Sequence, residues 1–146
     1  MAQAGKINLE IVTPEKLVFS GSVDALVVPA ETGYMGILPG HAPLLAELGI
    51  GEISIQIGDS TEYIFCSWGF VEVLPDRVVL LTQTAELASD IDIKRAEEAK
   101  ARAEKMLLSN DPATDYAKAE MALLKAISRI DAYKHRSTKR RDIRTV

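Results

Sequence analysis

Cysteine and histidine are scarce in this chain of 146 residues, which contains one cysteine, two histidines and few aromatic residues. A lone cysteine excludes an internal disulfide and a zinc site built from clustered cysteines. Because Cys66 lies in the strand-like run from Tyr63 to Cys66, we expect a buried thiol without a catalytic role. The two histidines have no cluster of acidic residues at ligand spacing, so the sequence predicts no metal site.

Long apolar runs are also missing. No stretch approaches the roughly 18 apolar residues of a membrane span, and residues 1 to 6 lack the apolar segment of a signal peptide. No motif places a serine or cysteine nucleophile, and His41 lies in a loop rich in proline and glycine, which suits protein contact better than catalysis. We therefore predict a non-catalytic protein without a membrane-spanning segment.

The formal charge of −4 is distributed unevenly. Residues 1–124 contain 9 basic and 19 acidic side chains, whereas residues 125–146 contain 8 basic and 2 acidic ones. A basic tail on an acidic body predicts an anionic partner, which could be nucleic acid, a phosphate ligand or an acidic protein surface. The alternative is a solvated helix end without a specific partner.

Residues 6–84 show the two-residue period of strands. Apolar side chains alternate in three runs: Ile7, Leu9 and Ile11; Val23, Ala25 and Val27; and Ile53, Ile55 and Ile57. The segments Gly58–Ser60 and Pro75–Asp76 carry turn residues between later strands. This spacing, with no amphipathic helix between the strands, predicts an antiparallel meander closed as a sandwich or flattened barrel.

The composition changes near residue 85, where alanine, lysine and glutamate replace glycine. Apolar residues recur at helical spacing from Ile93 to Leu107 and from Ala119 to Ile130. We predict a first helix capped by Ser89 or Asp90 and a second that opens at Asp111–Pro112. So short a link makes the helices antiparallel neighbours.

The predicted fold is therefore α+β, with an N-terminal antiparallel β-sandwich (residues 1–86) followed by a C-terminal two-helix hairpin with a basic tail (residues 87–146). Alanine-rich faces bury little apolar area each, so we expect the hairpin to dock marginally. A helix pair held this weakly can leave its partner and remain helical, as a conformational switch requires. The tail after Tyr133 has lost apolar periodicity and is expected to be poorly ordered alone.

Four segments occur in the order and at the spacing of a known family: Thr13–Glu15, Phe19–Gly21, Pro29–Leu45 and Gly69–Val73. Together they resemble the N-terminal domain of the epsilon subunits of bacterial-type ATP synthases, and the resemblance extends over nearly the whole chain. Trp68 departs from the pattern, because the family usually has a glycine there. We expect its side chain to fill a gap in the core or at the interface with the gamma subunit.

The resemblance implies a non-catalytic rotor subunit in the central stalk of a proton-translocating ATP synthase. Such a subunit is peripheral, lies at the cytoplasmic face of the inner membrane, couples ring rotation to the catalytic head, and regulates ATP hydrolysis through the mobile hairpin. Its partners are the gamma subunit, the c-ring and the alpha and beta catalytic subunits, with no nucleic acid. The residues implied to contact the ring or gamma are Glu31, Thr32, Gly33, Tyr34 and His41. Those implied to contact the catalytic head are Lys134, Arg136, Lys139 and Arg140.

The segment Ile91–Ala96 is similar to the Ile-Asp-x-x-Arg-Ala segment through which some bacterial epsilon subunits bind ATP. Asp92, Arg95 and Arg102 share one helix face, and guanidinium groups suit phosphate oxygens. A hairpin symmetric about residues 110 and 111 places Arg129 level with Asp92. The predicted ATP-binding residues are Glu86, Ile91, Asp92, Arg95, Ala96, Arg102, Lys125 and Arg129. ATP would be a regulatory ligand, with no cofactor required.

Three alternatives remain at this point. Asp92 and Arg129 could form an ordinary salt bridge between the helices, with the other charges facing water. The chain could be a stand-alone nucleotide-sensing enzyme, which predicts turnover, or a binding module whose basic tail contacts nucleic acid. The last predicts salt-dependent binding to duplexes, although the sequence contains no recognised nucleic-acid motif.

Overall fold

The computed structural model describes the backbone of residues 5–144 and the side chains of residues 5–136. Seven strands are followed by a short 3-10 turn at Ala88–Asp90 and two helices. The strands are β1 Ile7–Val12, β2 Leu17–Val23, β3 Ala25–Ala30, β4 Gly33–Ile37, β5 Leu44–Ile57, β6 Ser60–Val73 and β7 Arg77–Leu87; the helices are α1 Ile93–Leu107 and α2 Tyr116–Arg144. The predicted α+β architecture, strands first and two helices last, is confirmed.

The strands form one sheet in the order β2-β1-β7-β6-β5-β3-β4. Strands β2 and β5 contact each other although three strands separate them in that order, so the sheet folds back on itself as a sandwich. The meander is confirmed for β5, β6 and β7, which tight turns connect. It is wrong for β1, which pairs parallel with β7. These two strands are distant in sequence, so no hairpin constrains their direction.

The long strands bend together at a corner. In β6 the side chains that belong to the sandwich core are Ile64 and Cys66 before the corner, and Val71 and Val73 after it. Because side chains alternate with a period of two, this odd spacing requires the strand to rotate in between. The rotation occurs at Trp68–Gly69, where φ is 48° and 147°. The chain thereby turns the apolar face of both halves towards one enclosed core.

The run Val23, Ala25 and Val27 was expected to be one strand, and this is wrong. β2 ends at Val23 and β3 begins at Ala25, while the side chains that β3 contributes to the sandwich core are Leu26 and Val28. Asp24 marks the break, because its carboxylate lies 2.9 Å from Lys6 Nζ and accepts a 2.6 Å hydrogen bond from the Gly58 amide. The interruption lets the chain cross from one end of the sheet to the far side of β5.

Helix α1 begins two or three residues later than predicted from Ser89 or Asp90. Its N-cap is Asp92, whose side chain accepts a 3.2 Å hydrogen bond from the amide of Arg95. Ser89 and Asp90 instead lie in the 3-10 turn that precedes the helix. Asp92 is thus occupied in holding the first turn of α1.

Helix α2 also begins later than predicted from Asp111–Pro112. Asp111 accepts a hydrogen bond from the Ala113 amide at 2.9 Å and forms a turn of its own. Asp115 accepts from the Lys118 amide at 3.1 Å and precedes the first helical residue. Two aspartates with the same local chemistry compete for the cap, and the tertiary path of the chain selects the second. The backbone of α2 is helical through Arg144, so the tail after Tyr133 continues the second helix.

The helices pack on each other and on one side of the sandwich. Small buried side chains line the seam between α1 and α2: Ala96, Ala103, Ala119 and Ala126. Helix α2 also lies on β5 and β6, over a second apolar cluster separate from the sandwich core. The buried members of that cluster are Phe65, Ala88, Ile91 and Ala132. The hairpin therefore adds a thin layer to a sandwich that has its own core.

The corner of β6 requires glycine at position 69. A Cβ atom there would lie 1.9 Å from the carbonyl oxygen of Leu81, and φ is already 147°. We expect Gly69→Ala to lower the free energy of unfolding by about 2 kcal/mol or more, measured by urea denaturation. Gly36→Ala in β4 is the matched control, because a Cβ there meets no atom within 4 Å, and it should change stability by less than about 0.5 kcal/mol. Equal stability of the two variants would contradict this account of the corner.

Candidate functional site

A pocket of about 510 Å³ lies where the end of β7, helix α1 and helix α2 meet. Its volume is within the range of small-molecule sites. The lining residues are Glu86, Asp90, Asp92, Arg95, Ala96, Ala99, Arg102 and Arg129. Six of the eight predicted ATP-binding residues are among them, although they come from three separate elements.

One face of α1 forms a wall of the pocket. Asp92, Arg95, Ala99 and Arg102 recur every three or four residues, as the helical period requires. Ala96 is buried on the side towards α2, and its small side chain lets the two helices approach closely. The arginines extend from this wall because the alanines between them leave room.

Arg129 of α2 is held from two sides. Its Nε and Nη2 atoms donate to Oε1 of Glu86 at 2.8 and 2.7 Å, and its guanidinium carbon lies 4.2 Å from the centroid of the Phe65 ring. Charge-assisted hydrogen bonds and cation–π contact both favour this position for a guanidinium. The alternative of a salt bridge between Asp92 and Arg129 is wrong, because Asp92 caps α1 and Arg129 pairs with Glu86.

The pocket combines three guanidinium groups with three carboxylates. Guanidinium groups donate hydrogen bonds to phosphate oxygens, and carboxylates accept them from amino and hydroxyl groups. Among the described residues, no serine, cysteine or histidine lines the pocket, and no group of three potential ligands is placed to hold a metal ion. Its chemistry is that of a binding site for a ligand with both an anionic and a donor-rich end.

Two predicted residues lie outside the pocket. Ile91 is buried in the apolar cluster under α2. The ammonium of Lys125 lies 4.4 Å from the centroid of the Trp68 ring. Trp68 is half-buried and contacts Lys125 of α2, so it does not fill a gap in the sandwich core, and the other expectation, a position at the interface with gamma, stays a prediction. The cation–π pairs Lys125–Trp68 and Arg129–Phe65 join residues that are remote in the chain, so no local pattern in the sequence predicts them.

A second polar contact holds the far part of α2 and was not predicted. His135 Nδ1 lies 2.7 Å from Oε2 of Glu52 on β5, and its ring stacks on Tyr63 with centroids 5.1 Å apart. Partial burial raises the pKa of Glu52, although the contact with His135 acts in the opposite direction. The net rise means that loss of water outweighs the histidine at this carboxyl.

The residues implied to contact the ring or gamma lie on the sandwich, away from the pocket. Glu31 and Thr32 form the turn between β3 and β4, Gly33 and Tyr34 are the first residues of β4, and Tyr34 is 66% exposed. A hydrogen bond with Glu47 and the repulsion between the two carboxyls raise the pKa of Glu31. The half-buried His41 has Nδ1 2.7 Å from the Ala42 carbonyl oxygen.

Four basic residues of α2 were implied to contact the catalytic head. Lys134 and Arg136 flank His135 on α2, whereas Lys139 and Arg140 lie outside the residues whose side chains are described. Cys66 is fully buried, as the strand pattern predicts, and burial raises its pKa to about 12. No helix within the described range is long and apolar enough to cross a membrane.

Two family models together match most of the chain. Residues 6–88 match the beta-sandwich domain of the ATP synthase delta/epsilon chain, and residues 89–134 match its long alpha-helix domain. An ATP synthase epsilon chain from Koribacter versatilis is 50% identical over 109 residues, covering 75% of this chain and 77% of the relative. An ATP synthase epsilon chain from Desulforamulus reducens is 48% identical over 125 residues, covering 86% of this chain and 95% of the relative.

Two solved structures share the fold. A chain of the Euglena gracilis mitochondrial ATP synthase, solved as OSCP, F1 and c-ring, superposes with a TM-score of 0.75 at 24% identity. That match covers 85% of this chain and 79% of the other. A chain of the Tetrahymena thermophila mitochondrial ATP synthase central stalk and c-ring superposes with a TM-score of 0.55 at 15% identity. That match covers 91% of this chain and 99% of the other. At these identities the likeness concerns the fold alone.

The raised pKa of Glu52 predicts how stability depends on pH. A carboxyl whose pKa is higher in the folded state stabilises the protein fully below the ordinary value of 4.5 and loses that contribution as pH rises. The free energy of unfolding of the wild type, relative to Glu52→Gln, should therefore fall between pH 4.5 and neutral pH in urea titrations. Glu62→Gln, at an exposed position of β6, controls for the loss of one carboxylate. A relative stability that rises with pH would show that the His135 contact dominates instead.

Proposed function

The chain belongs to the ATP synthase delta/epsilon family, and from this premise we propose that it is a non-catalytic rotor subunit of a proton-translocating ATP synthase. In this proposal it rides on the gamma subunit, contacts the c-ring and couples ring rotation to the alpha and beta subunits. It is peripheral, at the cytoplasmic face of the inner membrane. Its hairpin regulates ATP hydrolysis, and ATP is the ligand that the hairpin senses.

The docking role is supported by where the exposed turn of the sandwich lies. The β3–β4 turn with the first residues of β4, from Glu31 to Tyr34, is exposed and belongs to the strands at one end of the sheet, whereas the helical hairpin covers β5 and β6. A partner can therefore bind this turn while the helices remain docked or after they leave. We assign Glu31–Tyr34 to the ring and the His41 loop to gamma.

The regulatory role is supported by the separation of the two apolar clusters. The sandwich core contains no residue of α1 or α2, so undocking the hairpin leaves that core closed. What the hairpin loses is the small cluster around Phe65 and the polar contacts of Lys125, Arg129 and His135. An undocked hairpin would carry the basic end of α2, including Lys134 and Arg136, to an acidic surface of the catalytic head.

One observation carries the ATP-sensing role: Arg95, Arg102 and Arg129 converge on a single pocket that exists only while sheet, α1 and α2 are together. A ligand that needs all three elements binds the docked form better than the undocked form and shifts the population towards it. The arginines suit the phosphates, and Glu86 and Asp92 can accept hydrogen bonds from the amino and hydroxyl groups of a nucleotide. This distribution favours a nucleoside triphosphate over a simple anion.

Titration of ATP into the purified chain by calorimetry tests the site. We expect the wild type to bind and Arg95→Ala to bind at least about tenfold more weakly, because one charge-assisted contact to phosphate is lost. Lys94→Ala is the matched control: it removes a neighbouring exposed cation that does not line the pocket, so it should bind as the wild type does. Absence of heat up to millimolar ATP would remove the ligand site but leave the subunit assignment intact.

Co-purification tests the subunit assignment separately. A tagged full-length chain, expressed in its source cells, should recover a gamma subunit and the c-ring from solubilised membranes. A variant with Tyr34→Ala should recover less of the ring than the wild type and the same amount of gamma, because the β3–β4 turn is assigned to the ring alone. Recovery of the chain without any synthase subunit, or with nucleic acid, would contradict the assignment.

A further inference from the structure

Trp68 has an unfavourable backbone conformation. Its φ of 48° is the only positive value at a non-glycine residue among the described positions. A bulky side chain adopts this region only when its surroundings impose it. The next residue, Gly69, packs directly against the carbonyl of Leu81, so the corner cannot relax without separating β6 from β7. The indole is therefore presented from a rigid point of the sheet.

The indole of Trp68 contacts the ammonium of Lys125, which lies 4.4 Å from the ring centroid. Lys125 lies one turn before Arg129 on α2, and Arg129 lines the pocket. One turn is about 5.4 Å along the helix axis, a distance that the flexible four-carbon stem of a lysine can span. The ammonium can thus lie either on the indole or beside an anion in the pocket, but not in both places.

We propose that Trp68 is a positioning residue that withholds Lys125 from the pocket and so lowers its affinity for an anionic ligand. This inference rests on the proposed ATP site. A bound ligand can contact the ammonium of Lys125 only after the ammonium has left the indole ring. The loss of the cation–π attraction therefore reduces the free energy that the new contact adds to binding. Attraction at such a half-buried ring corresponds to about a two- to fivefold weakening of binding, which sets the ligand concentration at which the hairpin responds.

Calorimetric ATP titration of four forms of the full chain tests this: wild type, Trp68→Gly, Lys125→Met and the double variant. Glycine adopts the backbone conformation of position 68 without strain, so the variant should fold. We expect Trp68→Gly to bind ATP about two- to fivefold more tightly. On the Lys125→Met background the same change should have no effect. Trp68→Phe, which keeps an aromatic face, should lie between tryptophan and glycine.

Fluorescence provides a readout that a purely structural role would not produce. Trp68 is the only tryptophan of the chain, so its emission reports the ring alone. ATP should change the emission in the wild type as Lys125 leaves the indole. The change should be absent in Lys125→Met and present in Lys118→Met, a matched variant at an exposed lysine of α2.

The outcomes separate the two proposals. If the wild type binds ATP, and the change Trp68→Gly leaves the affinity for ATP equal or lowers it both with Lys125 present and in Lys125→Met, the indole is only an anchor for α2. The inference is then overturned, and the ATP site stands. If Trp68→Gly binds and the wild type does not, the inference is supported and ATP sensing by the native chain fails. If no form binds, both are overturned.

Discussion

The arrangement of the helices depends on Arg129 and its two partners. Its guanidinium lies between the Glu86 carboxylate at the end of β7 and the Phe65 ring on β6. This contact ties α2 to the sheet at the point where α1 begins, so it also sets the distance between α1 and the sheet. The pocket is the space left between them, and Arg129 forms the part of its wall that comes from α2.

The molecule therefore has two levels of stability. The sandwich core is closed by apolar side chains from all seven strands, whereas the hairpin is held by alanines, one small aromatic cluster and the polar contacts of Lys125, Arg129 and His135. Polar contacts at half-exposed sites exchange readily with water or with a ligand. Docking can be adjusted by charge without disturbing the sandwich, as the proposed regulatory role of the hairpin requires.

Sequence reasoning succeeded where local periodicity carries the information. The alternation of Ile53 and Ile55 predicted buried strand positions, and the spacing of Asp92, Arg95 and Arg102 predicted a shared helix face that the pocket uses. It failed where several residues offer the same local chemistry. Aspartates compete for each helix cap, so the predicted starts of α1 and α2 were early. The alternative of a salt bridge between Asp92 and Arg129 is wrong, because Glu86 is the partner of Arg129.

By itself, the sequence determined the fold class, the change from strands to helices, the buried faces and a cationic face on α1, because each follows from residue type and spacing along the chain. Only the tertiary structure decided the parallel pairing of β1 with β7, the choice of Glu86 as partner of Arg129 and the placement of Lys125 on Trp68. These contacts join residues far apart in the chain. Their geometry depends on how the sheet bends at its corner and on where α2 lies across it, neither of which a local pattern can specify.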